Sequence, residues 1–397
     1  MPPPQAPTPC QLDSISLVGL PSPVAEPSQA AGVACARTYG PADYWRAYNA
    51  VNIAAASNVN IAIMAQGNVQ PAIADFRVNE TGDNLVQVPV VVKQARVASP
   101  DTAGDGEWTL DMIASTGMAR NVKTLYVYDT TSLTDSDITL EYSHFVTDNL
   151  APVGNSSFGW CEYGPHLDGS MLVDDELLLQ GAAQGQTMFV STGDSGSFCS
   201  VGVPNGVPAG APLAEYPAAS PYVVAVGGTT LLTKSDGSYQ GEVPWYSGGG
   251  GVSQFEYSPY WEAGTQPIGT TATGQSFRGL PDISLDADLQ TGMNIYSGGS
   301  WTVTGGTSLA SPLGAGIWAH MLKAKASAGF APPSLYKIYK GSVAGSPIVG
   351  PPSTRNVGPF HDILEGGNGL YTALPGYDYA SGLGSVDSQA LSLLVGH

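Results

Sequence analysis

The sequence predicts an α/β fold in which a central, mostly parallel sheet is flanked by helices, and three observations support it. Strand-like and helix-like segments alternate from about residue 40 to residue 193. The strand-like ones are continuous apolar runs, which marks strands buried on both faces. No repeat of 20–50 residues and no break in composition divides the main part of the chain, so one large layered domain is expected.

The elements follow in order. Residues 1–38 are rich in Pro, Ala and Ser, with Cys10 and Cys35 at either end, and read as an N-terminal arm to a main domain over 39–397. "VNIAIMAQ" (59–66) reads as a buried strand. "GEWTLDMIAS" (106–115) carries apolar residues at helical spacing. "VKTLYVYD" (122–129) is a strand and "SDITLEYSHFVTDN" (136–149) an amphipathic helix. "APVGNSSFGW" (151–160) is a short strand running out into a loop. "DDELLLQGAAQG" (174–185) is a helix, and "TMFVSTG" (187–193) is again a buried strand. Further strands are expected within "SPYVVAVGGT" (220–229) and "LPDISLDAD" (280–288). "ASPLGAGIWAHMLKAKA" (310–326) reads as a helix with Pro312 in its first turn, where proline is tolerated.

Composition narrows the function classes. Acidic residues outnumber basic ones 33 to 14, a net charge of −19. Nucleic acid and anionic membrane surfaces are excluded as partners, because binding them takes clustered Lys and Arg. The same balance suits an acidic medium, since few cations remain to repel one another once carboxylates are protonated; ordinary solubility would also account for it. No apolar run reaches 18 residues, so no spanning helix is expected. The start, "MPPPQAPTPC", lacks the basic and apolar regions of a signal peptide. Sequons at Asn79 and Asn155, with an even set of cysteines (Cys10, Cys35, Cys161, Cys199), point to a secreted protein or one of an acidic compartment.

"GGTSLASP" (305–312) sets a serine at the start of a helix. A serine hydroxyl becomes a nucleophile only when a base takes its proton. The pattern GTSxAxP resembles the nucleophile signature of subtilases, whose base is a histidine in an HGT-like setting. None of His144, His166, His320, His361 and His397 has that setting. A carboxylate can serve instead. Glu107 and Asp111 stand four residues apart, on one face of their helix. Two like charges at that spacing, pushed into a cleft, separate their pKa values and share a proton. One then acts as base while the other orients it. Asp194, in "STGDSG" at a strand's carboxyl end, can donate a hydrogen bond to an oxyanion if it is protonated.

Together with "SSFGWCE", "YPAASPYVVAVGGTT", "SGGGGVS", "LPDISLDAD" and "HDILEGGNG…GYDYASGLGS", these motifs resemble the sedolisin (S53) family of serine-carboxyl peptidases from about residue 40 to the C-terminus. The resemblance implies a subtilisin-like three-layer fold. It implies Ser308 as nucleophile, Glu107 as general base and then acid, Asp111 orienting Glu107, and Asp194 in the oxyanion hole. It also implies one structural Ca²⁺ held by the carboxylates of Asp362 and Asp378 and the carbonyls of Ile363, Leu374 and Gly376, a hard-oxygen set that suits the ion. The partners implied are polypeptide substrates and a propeptide outside this chain, acting on a monomer that engages neither nucleic acid nor membrane. Cys161 and Cys199 each follow a motif-bearing strand and are candidates to lie side by side.

The same machinery could cut within chains or remove tripeptides from N-termini. Paired carboxylates alone would also permit a glycosidase, which leaves the GTSxAxP serine without a role. A non-catalytic binding protein on this scaffold would not need all four residue types. Gly248 to Gly251 are expected to run extended beside the cleft and pair with substrate, with Trp245 and Tyr246 shaping subsites.

Overall fold

In the computed structural model, residues 37–97, 99–199, 212–266, 275–343 and 354–396 are described. Cys10, Cys35, His397 and nearly all of the expected arm lie outside them. A short helix α1 (Pro41–Ala47) leads into β1 (Asn60–Gln66), α2 (Gln70–Gly82) and β2 (Val90–Gln94). Then come α3 (Asp105–Met118), β3 (Thr124–Thr130), α4 (Asp135–Asp148) and β4 (Val153–Ser156). β5 (Trp160–Cys161), α5 (Tyr163–Asp168) and α6 (Ser170–Ala183) precede β6 (Thr187–Ser191). After β7 (Glu215–Tyr216) follow β8 (Val223–Thr233), β9 (Tyr239–Pro244), β10 (Gly251–Tyr257), β11 (Phe277–Leu280) and β12 (Ile283–Asp286). A hairpin of β13 (Met293–Ser297) and β14 (Ser300–Thr304) runs into α7 (Thr307–Ala324), followed by α8 (Ala331–Val343). β15 (Thr354–Val357), β16 (Phe360–Ile363) and β17 (Ser385–Val386) make a small sheet before α9 (Ser388–Leu394).

The main sheet runs β12–β8–β6–β4–β1–β3–β2 with every neighbouring pair parallel, and β9 joins β8 antiparallel. Its inner strands are buried on both faces, as their apolar runs require. Successive residues of β6 show the two helical layers. Phe189 lies against Gly314 of α7, while Met188 packs with Phe145 of α4 beside Gly154. The order of strands reverses at β1, which has β3 on one side and β4 on the other. Crevices at such reversals, at the carboxyl ends of strands, are where α/β folds place their sites.

The expected strands and helices appear within a few residues of their sequence limits. α2 was not anticipated, because two of its four buried residues, Asn79 and Glu80, are polar and blur the apolar stripe. One detail differs from expectation. α7 begins at Thr307, so Pro312 lies inside the helix, past its first turn. The carbonyl of Ser308, four residues earlier, therefore lacks its helical donor.

An ion cluster joins four segments of the chain. Arg278, 1% exposed, donates to both oxygens of Asp282 at 2.8 and 2.7 Å and to Glu262. Asp282 also accepts from Tyr336 of α8 at 2.8 Å and from the amide of Ala225 in β8 at 2.7 Å. Replacing Arg278 with Met leaves buried carboxylates without their cation. Such losses cost about 3–5 kcal/mol, so Arg278→Met should lower the urea midpoint strongly at pH 5. A midpoint within error of the parent would mean that the cluster adds no stability.

Candidate active site

The nucleophile candidate and the carboxyl pair sit on two packed helices. Gly316 permits the close approach: a Cβ there would lie 2.6 Å from the carbonyl oxygen of Ser115 in α3. Ser308 lies at the second position of α7, half-buried, and its side chain bonds to that of Glu107 in the first turn of α3. Asp111, one turn further along, is fully buried. Its Oδ1 accepts from Ser157 Oγ at 2.6 Å, and Asn155 bonds to the same carboxyl.

Two oxygens remain without partners, Glu107 Oε1 and Asp111 Oδ2. They belong to carboxyls one helical turn apart, and a single shared proton satisfies both. Burial, chiefly, holds both groups above the ordinary carboxylate range. The Ser308 bond opposes this at Glu107 and the charge of Asp194 reinforces it; at Asp111 the charge of Glu107 reinforces it. The pair therefore keeps a proton where isolated carboxylates would have lost theirs.

Asp194 follows the carboxyl end of β6 and is exposed on the cleft. Its Oδ1 accepts from the backbone and the hydroxyl of Thr307, both at 2.8 Å. That leaves Oδ2 to carry a proton. Although the residue is open to solvent on the cleft side, the protein around its carboxyl desolvates it and raises its pKa, and the Thr307 bonds pull the other way. None of the four described histidines bonds to Ser308. His320 is held by the carbonyls of Ala54 and Met118, His361 stacks on Tyr239, and His166 stacks on Phe255.

Sequence reasoning did not foresee Thr307, Ser157, Asn155, Ser311 or Glu215 as parts of this site. Glu215 puts its carboxyl directly beneath Gly193, with its pKa pushed up to about 8 by burial and then by Asp194. Asn155 and Ser157 carry a readable signal, two polar residues at strand spacing beside an apolar run. The sequon reading obscured it. Both Asn79 and Asn155 are fully buried with their amides bonded inside the protein, so neither can carry a glycan in the folded state. The sequons thus lend no support to secretion.

Two other expectations are settled. Cys161 and Cys199 form a disulfide, which ties the segment after β4 to the one after Asp194. The glycines 248–251 are all buried and are not free to pair with substrate. Gly249 donates to the Gly193 carbonyl at 2.7 Å, and a Cβ there would lie 1.8 Å from the Thr192 carbonyl oxygen. Only glycine can thread beneath the Asp194 loop. Of the flanking aromatics, Trp245 packs against the core and Tyr246 is 59% exposed.

The residues expected to hold calcium converge at the end of β16. Asp362 and Asp378 are 1% and 3% exposed. The amide of Gly376 donates to Asp362 Oδ2 at 3.0 Å, and that of Leu374 to Asp378 Oδ2 at 2.9 Å, so the 374–378 loop closes on both carboxylates. Gly376 has φ +95°, whereas Leu374 is not in the left-handed region, so leucine there costs no backbone strain. Two buried carboxylates suit a hard cation, but the backbone groups on them are N–H donors, and no group of three or more His, Cys, Asp or Glu that could hold a metal ion occurs among the described residues. Arg355 is the cation's competitor, with Nε 2.5 Å from Asp362 Oδ2.

Comparisons with known proteins place the chain in a family. The subtilase family model matches residues 94–343, a span that contains all four residues of the cleft. Sedolisin of Pseudomonas sp. (strain 101) is 35% identical over 384 residues, covering 91% of this chain and 62% of that protein. Xanthomonalisin of Xanthomonas sp. (strain T-22) is 32% identical, covering 93% of this chain and 47% of that protein. The chain thus spans only part of the length of these relatives. The solved structure of Pseudomonas sedolisin, a serine-carboxyl proteinase complexed with two molecules of pseudo-iodotyrostatin, aligns with a TM-score of 0.80 at 33% identity. The alignment covers 90% of this chain and 98% of that one. The chain belongs to the subtilase family and, within it, to the sedolisins.

Proposed function

We propose that this peptidase is a secreted or acid-compartment endopeptidase that cuts polypeptides through an acyl-enzyme on Ser308. The observation that carries the reading is the bond from Ser308 to a carboxyl, Glu107, whose neighbour Asp111 is buried behind it. Glu107 takes the Ser308 proton as Oγ attacks the scissile carbonyl carbon. The oxyanion forms beside Asp194, whose protonated Oδ2 donates to it, and the amino end of α7 adds positive potential. Glu107 returns the proton to the leaving amine as the C–N bond breaks. Water then attacks the ester, giving its proton to Glu107, and Ser308 is restored. A propeptide outside this chain would accompany synthesis, and the mature domain would act as a monomer.

Ser308→Ala and Glu107→Gln should each lower kcat/KM by ~10³-fold or more with an unchanged circular dichroism spectrum. Substantial turnover by Ser308→Ala would rule out Ser308 as the nucleophile, and by Glu107→Gln would return the base to a histidine.

The pH dependence follows from the two carboxyl sites. The pair must have lost a proton for Glu107 to act as base, while Asp194 must keep its own. Activity should form a bell in acid that fades as pH rises through the raised pKa of Asp194. In Asp194→Asn, a donor at every pH, the peak should fall and the alkaline limb relax. A wild-type optimum at neutral pH, measured as kcat/KM from pH 2 to 8, would refute the protonated-aspartate role.

We also assign one structural Ca²⁺ to Asp362, Ile363, Leu374, Gly376 and Asp378. No catalytic step uses it. Free Ca²⁺ should raise the melting temperature in proportion to log concentration above its dissociation constant, and Asp378→Asn should abolish the response. A melting temperature indifferent to chelation, with no calcium in the purified protein, would leave Arg355 as the cation of this loop.

A further inference from the structure

One buried polar chain is not accounted for by the four cleft residues. Ser157, just past β4, donates to Asp111 Oδ1 at 2.6 Å. Asn155, in β4, donates through Nδ2 to Ser157 Oγ at 3.0 Å. From α7, Ser311 donates to Asn155 Oδ1 at 2.7 Å. With Oδ1 accepting from Ser311, the Asn155 amide must turn its Nδ2 toward Ser157 and Asp111. Asn155 and Ser311 are fully buried and Ser157 is 7% exposed. Groups this deep cost stability unless bonded, and their bonds converge on one carboxyl oxygen.

Pro312 adds a second link. Having no N–H, it leaves the Ser308 carbonyl without its helical donor, and Ser157 Oγ lies 3.5 Å from that oxygen. The Ser157 hydroxyl thus stands between the main chain of the nucleophile and the carboxyl that backs its base. Its single proton goes to the nearer acceptor, Asp111 Oδ1, at 2.6 Å.

We propose that Ser157, oriented by Asn155 and Ser311, is a positioning residue that decides which oxygen of Asp111 takes the proton shared with Glu107. The inference rests on the serine-carboxyl mechanism proposed above. Because Oδ1 is held as an acceptor, a proton on Asp111 must sit on Oδ2, the oxygen left without a partner. The two donors also stabilise ionised Asp111, so they make the pair easier to deprotonate.

Other groups packed on α3 do not compete for this role. The charges acting on the pair are that of Glu107 on Asp111 and that of Asp194, across the cleft, on Glu107. α7 brings Ser308 and Ser311, and β1 has no ionisable side chain. Asp43 of α1 pairs with Arg37, and Glu80 of α2 binds Arg77 and the Val88 amide. Also on α2, Asp75 binds the Gly298 amide, and Tyr296 of β13 stacks edge-on with Trp301.

The test is kcat and KM from pH 2 to 6, with melting temperature, for Ser157→Ala, Ser157→Thr and Ser311→Ala, beside Glu107→Gln. Ser157→Ala should move the acidic limb upward by about one pH unit, the size of one lost hydrogen bond to a charged acceptor. Its kcat at pH 4 should fall ~10-fold with KM unchanged, and Ser157→Thr, which keeps the hydroxyl, should restore the limb. Ser311→Ala should move it in the same direction by less. A Ser157→Ala limb at the wild-type position overturns the proposal, whatever the melting temperature does. If Ser157→Ala does not fold, an unmoved limb in Ser311→Ala overturns it instead. An active Glu107→Gln would sink the underlying mechanism. An inactive one, beside an unmoved limb in Ser157→Ala, would sink only this inference.

Discussion

The cleft depends on one unfavourable act, burying two carboxyls one helical turn apart. Neither Glu107 Oε1 nor Asp111 Oδ2 has a partner, and two ionised groups at that depth would repel at low effective dielectric. The arrangement is stable only with a proton between them. That condition makes the pair a proton store directly behind Ser308. It also explains the crowd of neutral donors around it, since Ser157, Asn155 and Ser308 bond to these two carboxyls without adding a counter-charge that would strip the proton away. A cation in this position would favour two permanent carboxylates and strip the pair of its proton.

The rest of the molecule repeats the theme at lower stakes. Burial raises Glu162 to about 7, Asp174 to about 7 and Glu215 to about 8. Each has a folded pKa above its unfolded value of roughly 4, so the folded state binds its proton more tightly. The stability each contributes is complete in acid and is lost as pH rises through 7 to 8. The histidines set the opposite limit. Burial lowers His361 to about 4, and its contribution disappears as pH falls through that value. Between about pH 4 and 7 the three carboxyls lose stability as pH rises while His361 alone gains it, so these groups together favour the native state more toward the acid end of that range, the side of neutrality on which a protonated Asp194 would be of use.

How much of this was legible in the sequence follows from the range of the determinants. Ser308, Glu107, Asp111 and Asp194 each sit in a short local pattern: a serine at a helix start, an i,i+4 pair, an aspartate at a strand end. Local patterns survive in one dimension. Ser157 and Ser311 meet Asp111 and Asn155 across 46 and 156 residues of chain, and nothing near either one in sequence announces the partner. The glycine run misled for a related reason. Four glycines permit an exposed strand as well as a buried thread, and only the Thr192 carbonyl beneath Gly249 decides between them. Pro312 looked like an N-terminal proline because the helix start was placed three residues late.

That misplaced proline shows how tightly the carboxyl pair is coupled to the helix bearing Ser308. In an uninterrupted helix the Ser308 carbonyl would be bonded to the amide four residues on, and α7 would have no polar opening at that turn. Proline removes the donor, Ser157 comes within 3.5 Å of the freed oxygen, and Ser311, one residue before the proline, reaches Asn155. A single turn of α7 therefore faces both ways, toward the cleft through Ser308 and toward the carboxyl pair through β4. The strand order makes this possible, because β4 lies beside β1 at the point where the sheet reverses and carries Asn155 in beneath both helices. In the mechanism proposed above, the carboxyl pair would stand in for imidazole with two groups on one rigid helix, and the polar chain from α7 would supply the orientation that a separate aspartate gives a histidine.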